Sequence, residues 1–235
     1  MLFCGALARP LFFWLGKFNH FLAVLRGALR ISLKGDFFMP FFKIFVEKLF
    51  RSPLLDGQTR NRKIAYLGVT TAFAVIVNTL FEFKFLDTQY SLTIAVSSLL
   101  GVLLGGGYGF VVCFLGDLVG FLINSSGYAY MPWIGISMGL VAMLSGLIVG
   151  GIPQKKSWFV YIKLLLVCIV TFLLCTVAIN TTAFWILYSK AGYFEYLFTR
   201  LFVQGQIWNS LVNYGLLFGI VPALNHIKPL KIYIK

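Results

Sequence analysis

The chain has 235 residues, of which 60% are hydrophobic and only 11% charged. That balance excludes an ordinary soluble globular enzyme and places the protein in the membrane class. The formal net charge is +13, yet a nucleic-acid role is not indicated: 11 of the 20 Lys and Arg precede residue 64, and Lys228, Lys231 and Lys235 close the chain, which is how basic flanks mark the cytoplasmic side and its contact with anionic membrane lipid.

Residues 1–58 read as a basic, Phe-rich leader, and residues 59–235 as a helical membrane domain. No small-residue cleavage site follows a secretory core, so no signal peptide is assigned. The stretch Phe37–Phe50 suits a short amphipathic helix in the membrane interface. The other reading of this region takes Met39 as the start. Pro53, Asp56, Gly57 and Gln58 form a linker.

Six apolar stretches follow, over 64–81, 89–104, 107–124, 131–152, 159–187 and 203–224. A helix needs about 20 residues to cross the hydrocarbon core. The second stretch is short, which calls for shelter by its neighbours. Arg60, Arg62 and Lys63 precede the first stretch, Lys155 and Lys156 separate the fourth and fifth, and Lys228 and Lys231 follow the sixth. The predicted fold is an all-α integral membrane protein with six transmembrane helices, both termini cytoplasmic and three loops outside. Gly105, Gly106 and Gly107 fit a tight turn between the second and third helices.

Polar residues concentrate toward the outer half of these helices. Asn78, Asn124, Asn180, Gln204, Gln206 and Asn209 all fall there. Amides and charges are costly in lipid, so a cluster at one depth marks a site for a polar solute. Asp117, in the third helix, is the only acid deep within a span, and Arg200 is the cation placed to approach it. Arg200, Gln204 and Trp208 recur every four residues and are expected on one helical face, with Asn209 and Asn213 alongside. Tyr128, Tyr130 and Trp133 open the fourth helix, as interfacial-belt aromatics or as stacking partners for a flat heterocycle. For each amide the plainer role is bonding between helices. The group as a whole points to a ligand site.

Catalytic signatures are missing. There is no G-x-x-x-x-G-K-[ST] phosphate loop, no H-E-x-x-H and no G-x-S-x-G. The four cysteines have no metal-ligand spacing, and those within the apolar runs (Cys113, Cys168 and Cys175) read as small hydrophobes. No cofactor or metal is expected. The classes left are a binding or transport subunit, a membrane enzyme using Asp117, and a purely structural membrane subunit.

Several segments together resemble the substrate-binding S component of energy-coupling factor (ECF) vitamin transporters. They are Gly68 and Ala72 in the first helix, LLGGGYGFVVCFLGDLVGFL (103–122) and YMPWIGISMG (130–139), set in a six-span plan over about residues 62–225. The resemblance implies a non-enzymatic subunit of a bacterial plasma-membrane importer. It implies a vitamin bound near the outer face, a transmembrane coupling (T) subunit docked on the small-residue face at Gly68 and Ala72, and two cytoplasmic ATPase subunits. The folate-type branch is the most similar. Pantothenate, riboflavin, cobalamin and a queuosine precursor are the alternative ligands. On that reading the substrate-binding residues are Asn78, Asp117, Tyr130, Trp133, Asn180, Arg200, Gln204, Trp208 and Asn209. Arg200 is the cation for a carboxylate, and Tyr130 or Trp133 is the stacking partner.

Overall fold

The computed structural model describes residues 46–47, 49–52, 54–85, 88–123, 130–151, 158–190 and 192–224. Most of the leader, Asn124, Tyr128, Lys155, Lys156, Lys228 and Lys231 lie outside the described residues.

The described chain is nearly all helical. Its elements are α1 (Arg60–Leu80), a hairpin of β1 (Glu82–Phe85) and β2 (Thr88–Ser91), α2 (Thr93–Leu104), α3 (Gly106–Ile123) and α4 (Pro132–Gly151). Then come α5 (Phe159–Thr171), a π-helical segment π1 (Phe172–Thr181), α6 (Thr182–Tyr188), α7 (Tyr193–Phe198), a second π segment π2 (Thr199–Val203) and α8 (Gln206–Leu224). The hairpin, which pairs Glu82 with Ser91 and Phe85 with Thr88, was not foreseen from the sequence. Among the described residues, five helical stretches are long and apolar enough to cross a membrane: Arg60–Leu80, Gly106–Ile123, Pro132–Gly150, Phe159–Tyr188 and Gln206–Leu224. Thr93–Leu104 is apolar but shorter.

At 12 residues, α2 is about 18 Å long and falls well short of the ~30 Å hydrocarbon core. It is instead enclosed. Nine of its residues, from Thr93 to Leu104, are buried. Its apolar side chains feed both cores. Ile94, Ala95 and Val102 pack with Val141 of α4, Leu164 and Val167 of α5 and Leu217 of α8. Leu100 and Leu104 pack with Val112 and Cys113 of α3, Ala142 of α4 and Leu55. A Cβ on Gly101 would run into the Ala142 backbone, so α2 and α4 touch through their main chains.

A helix that starts inside a bundle leaves its first N–H groups without water. Two asparagines of α8 fill that need. Asn213 Oδ1 accepts from Ala95 N–H at 2.9 Å, and Asn209 Oδ1 accepts from Ser91 N–H at 3.1 Å. The Asn213 amide also donates to Ser91 O at 2.7 Å and to Asn209 O at 2.8 Å. At the far end of α4, the buried Lys163 ammonium donates to Val149 O at 3.1 Å. A cation satisfying a last-turn carbonyl is favourable with respect to the helix dipole.

The turn from α2 to α3 carries the left-handed backbone anticipated for its glycines, with Gly105 at φ 83°. A Cβ there would meet Arg51 O. The stretch from Leu49 to Leu55 packs on this turn: the Phe50 ring lies edge-on to Tyr108 at 5.5 Å, Ser52 is buried, and Ser52 Oγ accepts from Leu55 N–H at 3.2 Å.

Candidate functional site

Asp117 lies in the second half of α3, where Gly116 and Gly120 let α1 approach. Its carboxylate receives two side-chain donors from other elements. Asn78 Nδ2 of α1 donates to Oδ1 at 3.3 Å, and Tyr130 Oη, just before α4, donates to Oδ2 at 3.1 Å. Burial pushes the Tyr130 phenol above its ordinary value, and the neighbouring Asp117 charge pushes it further. It therefore stays protonated and able to donate. Its ring leans on Phe121 at 5.2 Å. Space for this node depends on Gly135: a Cβ there would come 2.6 Å from Tyr130 Oη and 2.9 Å from Asp117 Oδ2.

A small cavity opens beside the node. Asn78, Thr93, Ser97 and Asp117 give it polar walls, with Cys113 at the side. Ala74, Val77, Val96 and Met138 make it apolar elsewhere. Its volume is about 20 Å³, room for about one water. Small-molecule sites usually measure about 300–1,000 Å³, so the cavity is too small to hold a ligand of that size. Thr93, Ser97 and Met138 were not singled out from the sequence. Thr93 and Ser97 are four residues apart on α2, a spacing that puts two hydroxyls on one face.

The stripe expected at Arg200, Gln204 and Trp208 does not exist as one face. The helix breaks at Gly205, where φ is 70°. Arg200, in π2, is buried, whereas Gln204 is exposed and Trp208 is 60% exposed. A four-residue spacing places side chains together only along an unbroken helix. Arg200 turns toward its own neighbours: Nη1 donates to Tyr196 Oη at 3.5 Å, and the guanidinium lies 4.1 Å from the Phe184 ring centre. Burial lowers its pKa from the ordinary value, and the bond to Tyr196 opposes that.

Of the remaining expected residues, Asn209 is engaged in holding the start of α2, as described above. Trp133 is in the first turn of α4 and Asn180 near the end of π1. Both carry a buried polar atom, Trp133 Nε1 and Asn180 Oδ1, with no hydrogen-bond partner among the described residues. Gly68 and Ala72 are exposed on α1, and a Cβ on Gly68 would meet nothing within 4 Å. Only 11% of the α1 span is buried, against 33–44% of the other four.

A family model described as "ECF-type riboflavin transporter, S component" matches residues 58–226. The chain belongs to this ECF-type S component family. That description is of a transporter's substrate-binding component, not of an enzyme, and it confirms the family resemblance read from the sequence. The crystal structure of FolT bound with folic acid is similar to this ECF-type S component chain in fold. Its TM-score is 0.52 at 19% identity, over 68% of this chain and 94% of that one. No curated protein sequence gives a significant match.

Proposed function

We propose that the protein is the substrate-capture subunit of an ECF-type importer for a flat, heteroaromatic vitamin, with riboflavin first and folate second. The observation that carries this reading is the Asn78–Asp117–Tyr130 node beside a cavity in a chain of this family. An acid, an amide and a phenol together accept and donate at one edge. The ring edges of riboflavin and of the pterin of folate both set N–H groups beside carbonyl oxygens, and suit such a node. The sequence alone favoured folate. The description of the matched family moves riboflavin ahead of it.

In this reading α2 is the sixth span, made passable by enclosure. Residues 59–235 are the membrane domain, and both termini face the cytoplasm of a bacterial cell. The node and cavity then open toward the outside, and the vitamin enters as the surrounding helices part. The exposed small-residue face at Gly68 and Ala72 is the surface for the coupling subunit, because small residues let helix backbones approach closely in lipid. Two partner ATPases supply the energy. Residues 1–58 are the basic leader.

Titrating the purified chain in lipid nanodiscs with riboflavin and with folate, following flavin or protein fluorescence, tests the reading. Saturable 1:1 binding of either one, weakened by Asp117→Asn, is expected. If neither binds, while the protein remains folded by circular dichroism, the assignment to this vitamin class is wrong.

A further inference from the structure

The cavity beside Asp117 is too small for a vitamin, so it calls for another occupant. Its volume of about 20 Å³ exceeds the roughly 10–15 Å³ that one water needs. Volume alone does not make a cavity wet, because purely apolar ones stay dry; a water is held where about two to four polar groups receive it. Here four polar side chains stand on the wall, brought by three helices: Asn78 of α1, Thr93 and Ser97 of α2 and Asp117 of α3.

The two hydroxyls of α2 depart from the habit of their kind in this bundle. Thr71, Ser145 and Thr171 each donate to the carbonyl four residues earlier, at 2.7 Å, which is how a helical hydroxyl satisfies itself without outside help. Thr93 Oγ1 instead pairs with Ser91 Oγ at 2.8 Å. The Ser97 hydroxyl meets the Cys113 thiol on the same cavity wall. Both residues are buried.

These groups have capacity for one more partner. A hydroxyl donates once and accepts twice, and a carboxylate accepts at about four sites. Asp117 can therefore take a donor from the cavity beside the bonds from Asn78 and Tyr130, and Thr93 can take one beside Ser91. Asn78 and Tyr130 hold the carboxylate from α1 and from the start of α4. A bridging water would hold it from α2 as well, and such a bridge is nearly as good in enthalpy as a direct bond.

We propose that the cavity holds one ordered water, which donates to Asp117 and is held by the hydroxyls of Thr93 and Ser97. Thr93 and Ser97 are then positioning residues for vitamin capture: they touch the water, and the water fixes the carboxylate that meets the ring edge. Their part in affinity rests on the capture function above, whereas the water itself does not.

A crystal structure of the full chain that resolves water oxygens is expected to place one water within about 3.2 Å of an Asp117 oxygen and of Thr93 Oγ1 or Ser97 Oγ. A dry cavity, or a metal ion in that place, overturns the proposal. This measurement needs no variant to fold. Infrared difference spectroscopy in lipid nanodiscs then tests the positioning role, with the Asp117 carboxylate band identified as the one lost in Asp117→Asn. Ser97→Ala deletes a hydroxyl on the far side of the water and is expected to shift that band. Ser98→Ala, which removes a neighbouring buried hydroxyl off the cavity wall, is expected to leave it in place. In titrations with riboflavin and folate, Ser97→Ala should weaken whichever binds about three- to tenfold, the range of one ordinary hydrogen bond. Thr93→Ser keeps its hydroxyl and should bind as the wild type does. A lower melting temperature in Ser97→Ala, with band and affinity both unchanged, marks a merely structural serine and overturns the positioning role. If neither vitamin binds, the capture reading fails, and the crystal structure and the infrared band still decide the water.

Discussion

Asn213→Leu should unfold the start of α2, and the size of the effect follows from the bonds lost. Asn213 is fully buried. Its oxygen accepts from Ala95 N–H at 2.9 Å, and its amide donates to Ser91 O at 2.7 Å and Asn209 O at 2.8 Å. Leucine keeps the same branched side-chain skeleton, although its bulkier methyl groups add some overpacking to the loss of the bonds. Polar contacts between membrane helices average about 0.6 kcal/mol each, so three contribute roughly 2 kcal/mol. Stranding the Ala95 N–H in a water-free interior adds about 1–3 kcal/mol. The expected loss is therefore about 3–5 kcal/mol. Asn209→Leu, which leaves those three bonds in place apart from altered packing, should cost clearly less. Reversible unfolding of the purified protein in mixed micelles measures both. Hydrogen exchange should show the protection of residues 93–96 collapsing in the Asn213 variant first. A wild-type unfolding curve for Asn213→Leu would refute the idea that α8 caps α2.

Asp117→Asn keeps the shape of the node but removes its charge, so ligand affinity should fall about 10- to 100-fold, on the scale of a charge-assisted hydrogen bond; unchanged affinity by equilibrium titration would remove Asp117 from the ligand's contacts. The double variant Gly68→Leu, Ala72→Leu should melt at the wild-type temperature, because those positions face open space, yet lose vitamin uptake when expressed with coupling and ATPase subunits. A large drop in melting temperature would mean this face packs within the chain. Gly105→Ala introduces a Cβ at φ 83° and against Arg51 O; thermal melting should show destabilisation of about 1–3 kcal/mol, and a neutral result would show that the Leu49–Leu55 stretch does not lie on this turn.

Much of the helical plan was legible because lipid imposes it. Long runs of apolar residues between basic loops can only be membrane helices, and that reading needed no contacts. The short second helix was legible only as a weakness: composition alone could not say how a 12-residue helix lives in a bilayer. Tertiary packing answers with enclosure and with Asn213 and Asn209 at its start. The same two asparagines show why polarity in a span is ambiguous. An amide looks identical in sequence whether it awaits a ligand or holds a neighbouring backbone.

What the sequence by itself determined is the membrane class, the helical character, the family and the presence of a polar cluster, all of which depend on residue type and order along one chain. What only the tertiary structure decided is the division within that cluster. It joined Asn78 and Tyr130 to the Asp117 carboxylate beside a small cavity and set Arg200 against Tyr196 and Phe184. It also gave Asn209 to the backbone of β2 and turned Gln204 and Trp208 outward. The physical reason is local. Periodicity predicts a shared face only while the helix continues, and here π segments and the left-handed Gly205 shift its phase. Which side chains meet was therefore decided by the breaks in the helices and not by their spacing.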